Sequence, residues 1–509
     1  MTLRFAPTPL DHPIEEPVPR PGGLDPALAE AFVPSSTRDE QLARLRAPGA
    51  LAITTGQQPG LFTGPLYTVH KALSAVALAR LLERRWNRPV VPVFWLAGDD
   101  HDFAEASSAS WITADGTVAT ASLPARAADA PLTPMYRQPL GEGVTPALEQ
   151  LAAGLPASEF RDATLAWLER HYRPDATVAG AYAAAMAELL APSGLLFFDS
   201  THPAAKRAAA PHLVRALRQA GQLDEDLDQW AEARGVTART SGITVGDGAA
   251  LVMVEASLGR DRLVRDGDAF VTRRSRERFD LASIERIAAE QPTRLSPNVL
   301  LRPAVESALL PTTAYLGGPG ELRYLVLTPP VYGRLEIPRQ VALPRWSGVI
   351  VEPRVDRVLE KFGVTLADLS APPGALESRL VRSQLPAEAV QSLQRLRAAL
   401  DEGYDVLERA AAEIDPTLAR PTQAARQQAI GGMHEIEKKL VHHLKRRQET
   451  ELAQLARART AVLPNGKPQE RVLTVAPFLA RYGPGLLTDL SQTFEQWYQG
   501  ALEGPPQPA

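Results

Sequence analysis

Asp99, Asp100 and Asp102 put three carboxylates within four positions, with His101 among them and Glu105 just beyond. Carboxylates this close repel one another, and their proton affinities move apart unless a cation or an ammonium group sits among them. Such a cluster can hold a substrate amine, take a proton from it, or ligate a divalent metal. It can also do no more than cap a helix beginning near Phe103. The metal version is the less favoured, because no second ligand set is evident and the chain has no cysteine. No metal ligand is assigned, and the residues do not decide whether a metal takes part. Asp100, His101 and Asp102 are the candidate acid–base groups, and Asp99 a candidate substrate contact.

A second candidate lies upstream, in the run TGQQPGLFTGPLYTVHK from Thr55 to Lys71. Glycines and prolines between an apolar run and a helix start expose backbone N–H groups and the positive end of a helix dipole to an anion. Thr55, Gly56, Gln57, Gln58, Thr63, Gly64 and Tyr67 are the candidate contacts. Tyr67 and His70 lie three apart on the helix and share a face. There His70 could stabilise charge developing on an attacked nucleotide phosphate, although a lone histidine near a helix start is commonly structural. A third cluster, Gly317, Gly318, Gly320 and Glu321, follows another apolar run. Bare backbone there can approach a ligand and Glu321 can act on it, or the glycines mark only a turn. Asn298 and Arg302 complete the set as carboxylate or phosphate binders, Arg302 being suited to bidentate contact.

These groups need elements to hold them. Leu51–Ile53 and Val90–Ala97 read as buried strands joined by a helix over 66–86, the first βαβ unit of a parallel sheet. Leu195–Phe198, Thr312–Leu316, Val341–Pro344 and Gly348–Val351 read as further strands. The polar clusters fall at the strand ends, where an open α/β sheet binds its ligand. Residues of about 120–155 read as an irregular Pro-rich insertion. A second insertion spans about 240–295, and within it Ile243–Val245, Ala250–Val254, Arg262–Val264 and Ala269–Val271 read as an antiparallel patch. Beyond Val355 the pattern changes. Leu393, Leu396, Leu400, Tyr404, Leu407, Ala411 and Ile414 form one coiled-coil seam, and Met433, Ile436, Leu440, Leu444, Leu452 and Leu455 another. Two long helices joined by a Pro-bearing turn predict an antiparallel hairpin that packs on a partner subunit. The reading is therefore a core over 1–355, a helical coiled coil over 356–462, and a segment over 463–509 that packs back on the core, with Arg471–Val475 strand-like.

At 509 residues the chain is too long for one core. A formal net charge of -4 argues against a general nucleic-acid binder. No apolar run approaches the roughly 18 residues of a membrane span. With cysteine absent, disulfides and a thiol nucleophile are excluded, and a cytoplasmic protein is expected.

The run from Thr55 to Lys71, PVFWLAGDDHD from Pro92 to Asp102, SPNVLLRP from Ser296 to Pro303 and LPTTAYLGGPGE from Leu310 to Glu321 together resemble the bacillithiol biosynthesis cysteine-adding enzymes, the BshC family of cysteine ligases. The resemblance extends over nearly the whole chain. It implies a Rossmann-like core related to class I aminoacyl-tRNA synthetases and nucleotidyltransferases, and a C-terminal coiled coil that makes a homodimer. It also implies the last step of bacillithiol synthesis, joining L-cysteine to the amine of glucosaminyl-malate. Tyr67 to His70 then stands where those synthetases carry His-Ile-Gly-His, with His70 at the second histidine. Their second signature, Lys-Met-Ser-Lys-Ser, has no counterpart, so ATP or another nucleotide is an expectation only. Two other readings stay open: another adenylate-forming or nucleotidyl-transferring enzyme, separable by a pyrophosphate-release screen, and a non-catalytic coiled-coil scaffold, separable by titration with small ligands.

Overall fold

The computed structural model describes residues 3–10, 14–20 and 23–503. The chain divides into two compact units, one of Phe5–Val349 with 467–503 and one of Ile350–Gly466 with 3–4.

The first unit is built on a parallel sheet. Strand β1 (Leu51–Gln57) is buried over its first six residues, as a strand covered on both faces must be. Helix α1 (Tyr67–Trp86) follows. It ends where Asn87 turns left-handed at φ 49°, with Arg84 and Arg85 beside its carbonyl end. Strand β2 (Val90–Leu96) is wholly buried, and β3 (Leu196–Asp199) pairs with it, Phe94 opposite Phe197. Helix α2 (Pro203–Arg218) then leads to an antiparallel sheet of β4 (Ala249–Ala256), β5 (Gly259–Asp266), β6 (Ala269–Thr272), β7 (Arg278–Asp280) and β8 (Leu295–Pro297), ordered β7-β6-β5-β4-β8. Helix α3 (Arg302–Leu309), strand β9 (Thr312–Gly317), the short helix α4 (Pro319–Leu325) and strand β10 (Val341–Pro344) return the chain to the parallel sheet. Its order is β10-β9-β1-β2-β3. The chain runs outward from β1 on one side and comes back to fill the other. The reversal therefore lies between β1 and β9, and a crevice opens beyond their carboxyl ends.

One core joins the two sheets: Val91 and Val93 of β2, Leu213 and Leu217 of α2, and Val252 and Val254 of β4 pack in a single apolar cluster. Helix α1 is apolar on nearly every side because it is covered twice, by the sheet and by the C-terminal helix Gly485–Glu503.

Several local expectations change. The stretch 120–155 is not wholly irregular: Ser108–Ile112 and Val118–Ser122 form a hairpin, and Val144–Gly154 is a helix. Pro146 stands in the first turn of that helix, where an N–H would have no helical partner, and its other prolines sit in the connections. Ile243–Val245 has no strand partner, and Gly348–Val351 is extended but stands outside the parallel sheet. Arg471–Val475 makes only isolated bridges, Thr474 with Pro65 and Leu473 with Ser110.

The second unit is helical. Helices α5 (Ala387–Ile414) and α6 (Ala419–Arg447) pack along each other, joined by a 3-10 turn at Pro416–Leu418, and α7 (Glu449–Val462) follows. Arg426 on α6 binds Asp401 and Asp405 on α5 at 2.7 Å each, which fixes their antiparallel register. At 1.5 Å per residue each long arm spans about 42 Å. Among the described residues no helix is long and apolar enough to cross a membrane.

Candidate active site

The crevice beyond β1 and β9 holds a cavity of about 340 Å³. From β1 come Gly56 and Gln57, with Gln58 beyond its end. A β-carbon at Gly56 would stand 2.7 Å from the carbonyl oxygen of Trp95 on β2, which is why only glycine fits the strand end. Asp99, Asp100 and Glu105 form one wall. Arg302, Tyr315, Gly318, Gly320, Glu321 and Arg345 form the opposite one, while Arg260, Asn298 and Arg471 contribute more positive charge and an amide.

The acid cluster is divided among different tasks. Asp99 is paired with Lys206 of α2 at 2.5 Å, and the buried ammonium also donates to the carbonyl of Leu295 at 2.8 Å. Asp102 accepts the Glu105 N–H as cap of a one-turn helix, so the capping reading holds for that residue. His101 is half-buried with Nδ1 3.4 Å from Arg260 Nη1. Burial first, then the Arg260 charge, lowers its proton affinity, so the ring is neutral near pH 7. Asp100 accepts the Asp102 N–H at 2.9 Å and lines the cavity. Among the described residues no group of three or more His, Cys, Asp or Glu is placed to hold a metal.

The glycine-rich turn differs from an open anion cradle. Phe62, Thr63 and Gly64 take positive φ in succession, a strained path held by its neighbours. The Thr63 N–H donates to the Tyr172 hydroxyl at 2.7 Å, Gly64 N–H to Leu61 O at 2.9 Å, and Leu66 N–H to Leu473 O at 2.7 Å. Thr63 and Gly64 are buried there. Thr55 is buried too and ties β1 to β9 through the carbonyl of Leu316. Gly317 is buried at the end of β9, and only the glycines after it reach the cavity.

On α1 the crevice receives Tyr67 and Lys71. His70 is fully buried, its Nδ1 3.0 Å from a Glu470 oxygen and its ring edge-on to Trp346 and Phe494. Burial lowers its proton affinity despite Glu470, so the ring is neutral and donates from Nδ1. Lys71 is the group that composition does not single out. Its ammonium donates to Gly56 O at 2.7 Å and Gln57 Oε1 at 2.8 Å, and pairs with Glu321. Burial lowers its proton affinity, with Glu321 opposing. Burial would raise the Glu321 carboxyl, but Lys71, Tyr315 and the Gly318 N–H outweigh it and hold it below its usual range.

Arg302 is clamped from behind. Its Nη1 donates to the buried Glu306 at 2.6 Å, its guanidinium lies over the Tyr315 ring, and Nη2 is buried without a partner. Asn298 spends its side-chain oxygen on the N–H groups of Leu300 and Leu301, so it shapes the turn before Arg302. The crevice thus carries Asp100 and Glu105 beyond β2 and the guanidinium groups of Arg302 and Arg345 beside β9 and β10, with Glu321 among the latter and Arg260 beside His101. That mixture of charges suits a molecule with both an amine and an anion.

Comparison with known proteins places this architecture. Residues 27–346 match the model of the bacillithiol biosynthesis BshC N-terminal Rossmann-like domain, and residues 348–500 that of the BshC C-terminal coiled-coil domain. A protein of Salinibacter ruber named "Putative cysteine ligase BshC" is 32% identical over 456 residues, covering 88% of this chain and 81% of the relative. Proteins of the same name from Symbiobacterium thermophilum (31% over 483 residues, 91% of this chain and 86% of the relative) and Chlorobaculum tepidum (30% over 497 residues, 92% and 84%) are similar.

Proposed function

The chain belongs to the bacillithiol biosynthesis BshC family, and on that footing we propose that it is a carbon–nitrogen bond-forming ligase that joins the carboxyl of L-cysteine to the amine of glucosaminyl-malate, the last step of bacillithiol synthesis. The observation that carries this reading is a crevice at the sheet's reversal point lined both by carboxylates, Asp100 and Glu105, and by the guanidinium groups of Arg302 and Arg345. In the proposed reaction the sugar amine, having lost a proton to Asp100, attacks the activated carboxyl carbon. The activating group leaves with its bonding electrons, and Arg302 and Arg345 offset the charge on the carbonyl oxygen. A nucleoside triphosphate would supply the activation. Because the N–H groups of residues 63, 64 and 66, and the ammonium of Lys71, are taken within the protein, its phosphates belong with Arg302, Arg345 and Arg471 rather than at the glycine turn.

The same reading includes a homodimer through the helical pair, supported by Leu396, Val406, Leu407 and Ile436, apolar residues left exposed along it. The test is mass spectrometry of purified protein incubated with L-cysteine and glucosaminyl-malate, with and without ATP. Bacillithiol formed in an enzyme-dependent way supports the reading, and its absence in both arms refutes it.

A further inference from the structure

Arg345 lies immediately after β10, and its guanidinium is used from one end only. Nη1 donates to Glu470 Oε2 at 2.8 Å, Trp346 O at 2.6 Å and Ser347 Oγ at 2.9 Å, and Nη2 donates to Glu470 Oε1 at 2.7 Å. Glu470 is itself held by His70 Nδ1 at 3.0 Å and by the Gly348 N–H at 3.3 Å. The end-on pairing leaves the other edge of the guanidinium, Nε with the second Nη2 hydrogen. Nε is buried and has no partner, and Arg345 is a wall residue of the crevice. A buried donor without an acceptor is costly unless a ligand supplies one.

The neighbour of that edge is Gly318. A β-carbon there would stand 3.6 Å from Nε, 3.6 Å from Glu321 Oε2 and 4.0 Å from Nη2. Glycine is not needed for its backbone, since φ is −76°. A side chain there would lie directly against this edge.

We propose that the Nε–Nη2 edge of Arg345, bordered by Gly318, is a binding site for a two-oxygen anion, carboxylate or phosphate, and that Glu470 and His70 are positioning residues that hold this edge toward the crevice. A guanidinium edge with two parallel N–H groups matches the spacing of two anionic oxygens. His70 touches no ligand in this arrangement; it fixes the carboxylate that fixes the arginine. The proposal rests on the crevice being the place where the ligase reaction occurs.

Titration calorimetry of the full-length protein with L-cysteine, cysteamine (the same molecule without its carboxylate), L-malate and ATP tests it. At least one of the three anions should bind the wild type and lose about 10- to 100-fold in affinity on Arg345→Gln and on Gly318→Ala. Glu470→Gln should weaken the same anion while leaving cysteamine unchanged, a discrimination that general loosening of the fold would not produce. The anion affected identifies the source: amino-acid carboxylate, malyl carboxylate or nucleotide phosphate. Should Arg345→Gln fail to fold, Gly318→Ala still decides, because its backbone accepts alanine. Wild-type affinity for every anion in Gly318→Ala, or no anion bound by the wild type, overturns the proposal. If the anion site behaves as expected while no bacillithiol is formed, the ligase reading falls and the site stands.

Discussion

Glu470→Gln should change acid stability in a calculable way. Burial works to raise the Glu470 carboxyl, but hydrogen bonds from His70 and Arg345 and the arginine's charge outweigh it and bring it from an ordinary 4.5 down to about 2. At about 1.4 kcal/mol for each tenfold change in proton affinity, that difference contributes about 3 kcal/mol to folding at neutral pH. The sign follows from the depressed folded-state value. The contribution is complete above the unfolded carboxyl's 4.5 and fades as pH falls toward about 2. By pH 3 about 2 kcal/mol of it should be gone. His70 acts in another window: burial lowers its proton affinity below 6.5, so its contribution is present above that pH and declines below it as the unfolded ring takes up a proton. Urea unfolding of wild type and Glu470→Gln, followed by tryptophan fluorescence between pH 7 and pH 3, isolates the carboxylate by difference. The variant should be less stable by about 3 kcal/mol or more at pH 7, since Arg345 is left buried without its counter-ion. The gap should narrow by about 2 kcal/mol at pH 3. Curves separated by a constant amount across the range would show that Glu470 is not held as a depressed, doubly bonded carboxylate.

Asp99 and Asp100 should separate by role. Asp99→Asn strips the buried Lys206 of its counter-charge and should cost about 3–5 kcal/mol in thermal unfolding. Asp100→Asn should leave the melting temperature nearly unchanged while turnover of cysteine and glucosaminyl-malate, read by mass spectrometry, falls about 10²- to 10⁴-fold. Lys71→Met should destabilise the protein by isolating Glu321, and adding Glu321→Gln should restore part of the loss, with a coupling of about 0.5–3 kcal/mol in a double-mutant cycle. On the proposed homodimer, replacing Leu407 and Ile436 together by glutamine should shift sedimentation from dimer to monomer with the core's circular dichroism retained; an unchanged sedimentation coefficient would count against that proposal.

The sheet was legible because parallel strands are buried on both faces and so appear as unbroken apolar runs, as at Leu51–Ile53 and Val90–Leu96. Gln57, Asp100, Arg302 and Glu321 were legible for the complementary reason: polar residues at the ends of such runs face the crevice. The partners that set their charge were not. Lys206 and Glu470 lie 107 and 400 residues from Asp99 and His70, the groups they bind, and no local period connects residues so far apart. Glu470 was hidden further by the extended look of the stretch beside it, which pairs only at isolated bridges.

The case of α1 is the most instructive. Tyr67 has helical neighbours three and four positions on, His70 and Lys71, and both spacings are compatible with a shared face. The residue type favoured the histidine, but the rotation of the helix between the sheet and the C-terminal helix turns Lys71 to the crevice and His70 to Glu470. One signal did exist in the sequence. A lysine within the stretch from Val69 to Ala79 must either be exposed, as Arg80 is just beyond it, or be supplied with acceptors, and burial of every residue from Thr68 to Ala79 leaves only the second course. The three acceptors it finds come from the end of β1 and the start of α4. Lys71 therefore joins the two sides of the reversal point by charge, and His70 reaches the same crevice only through Glu470 and Arg345.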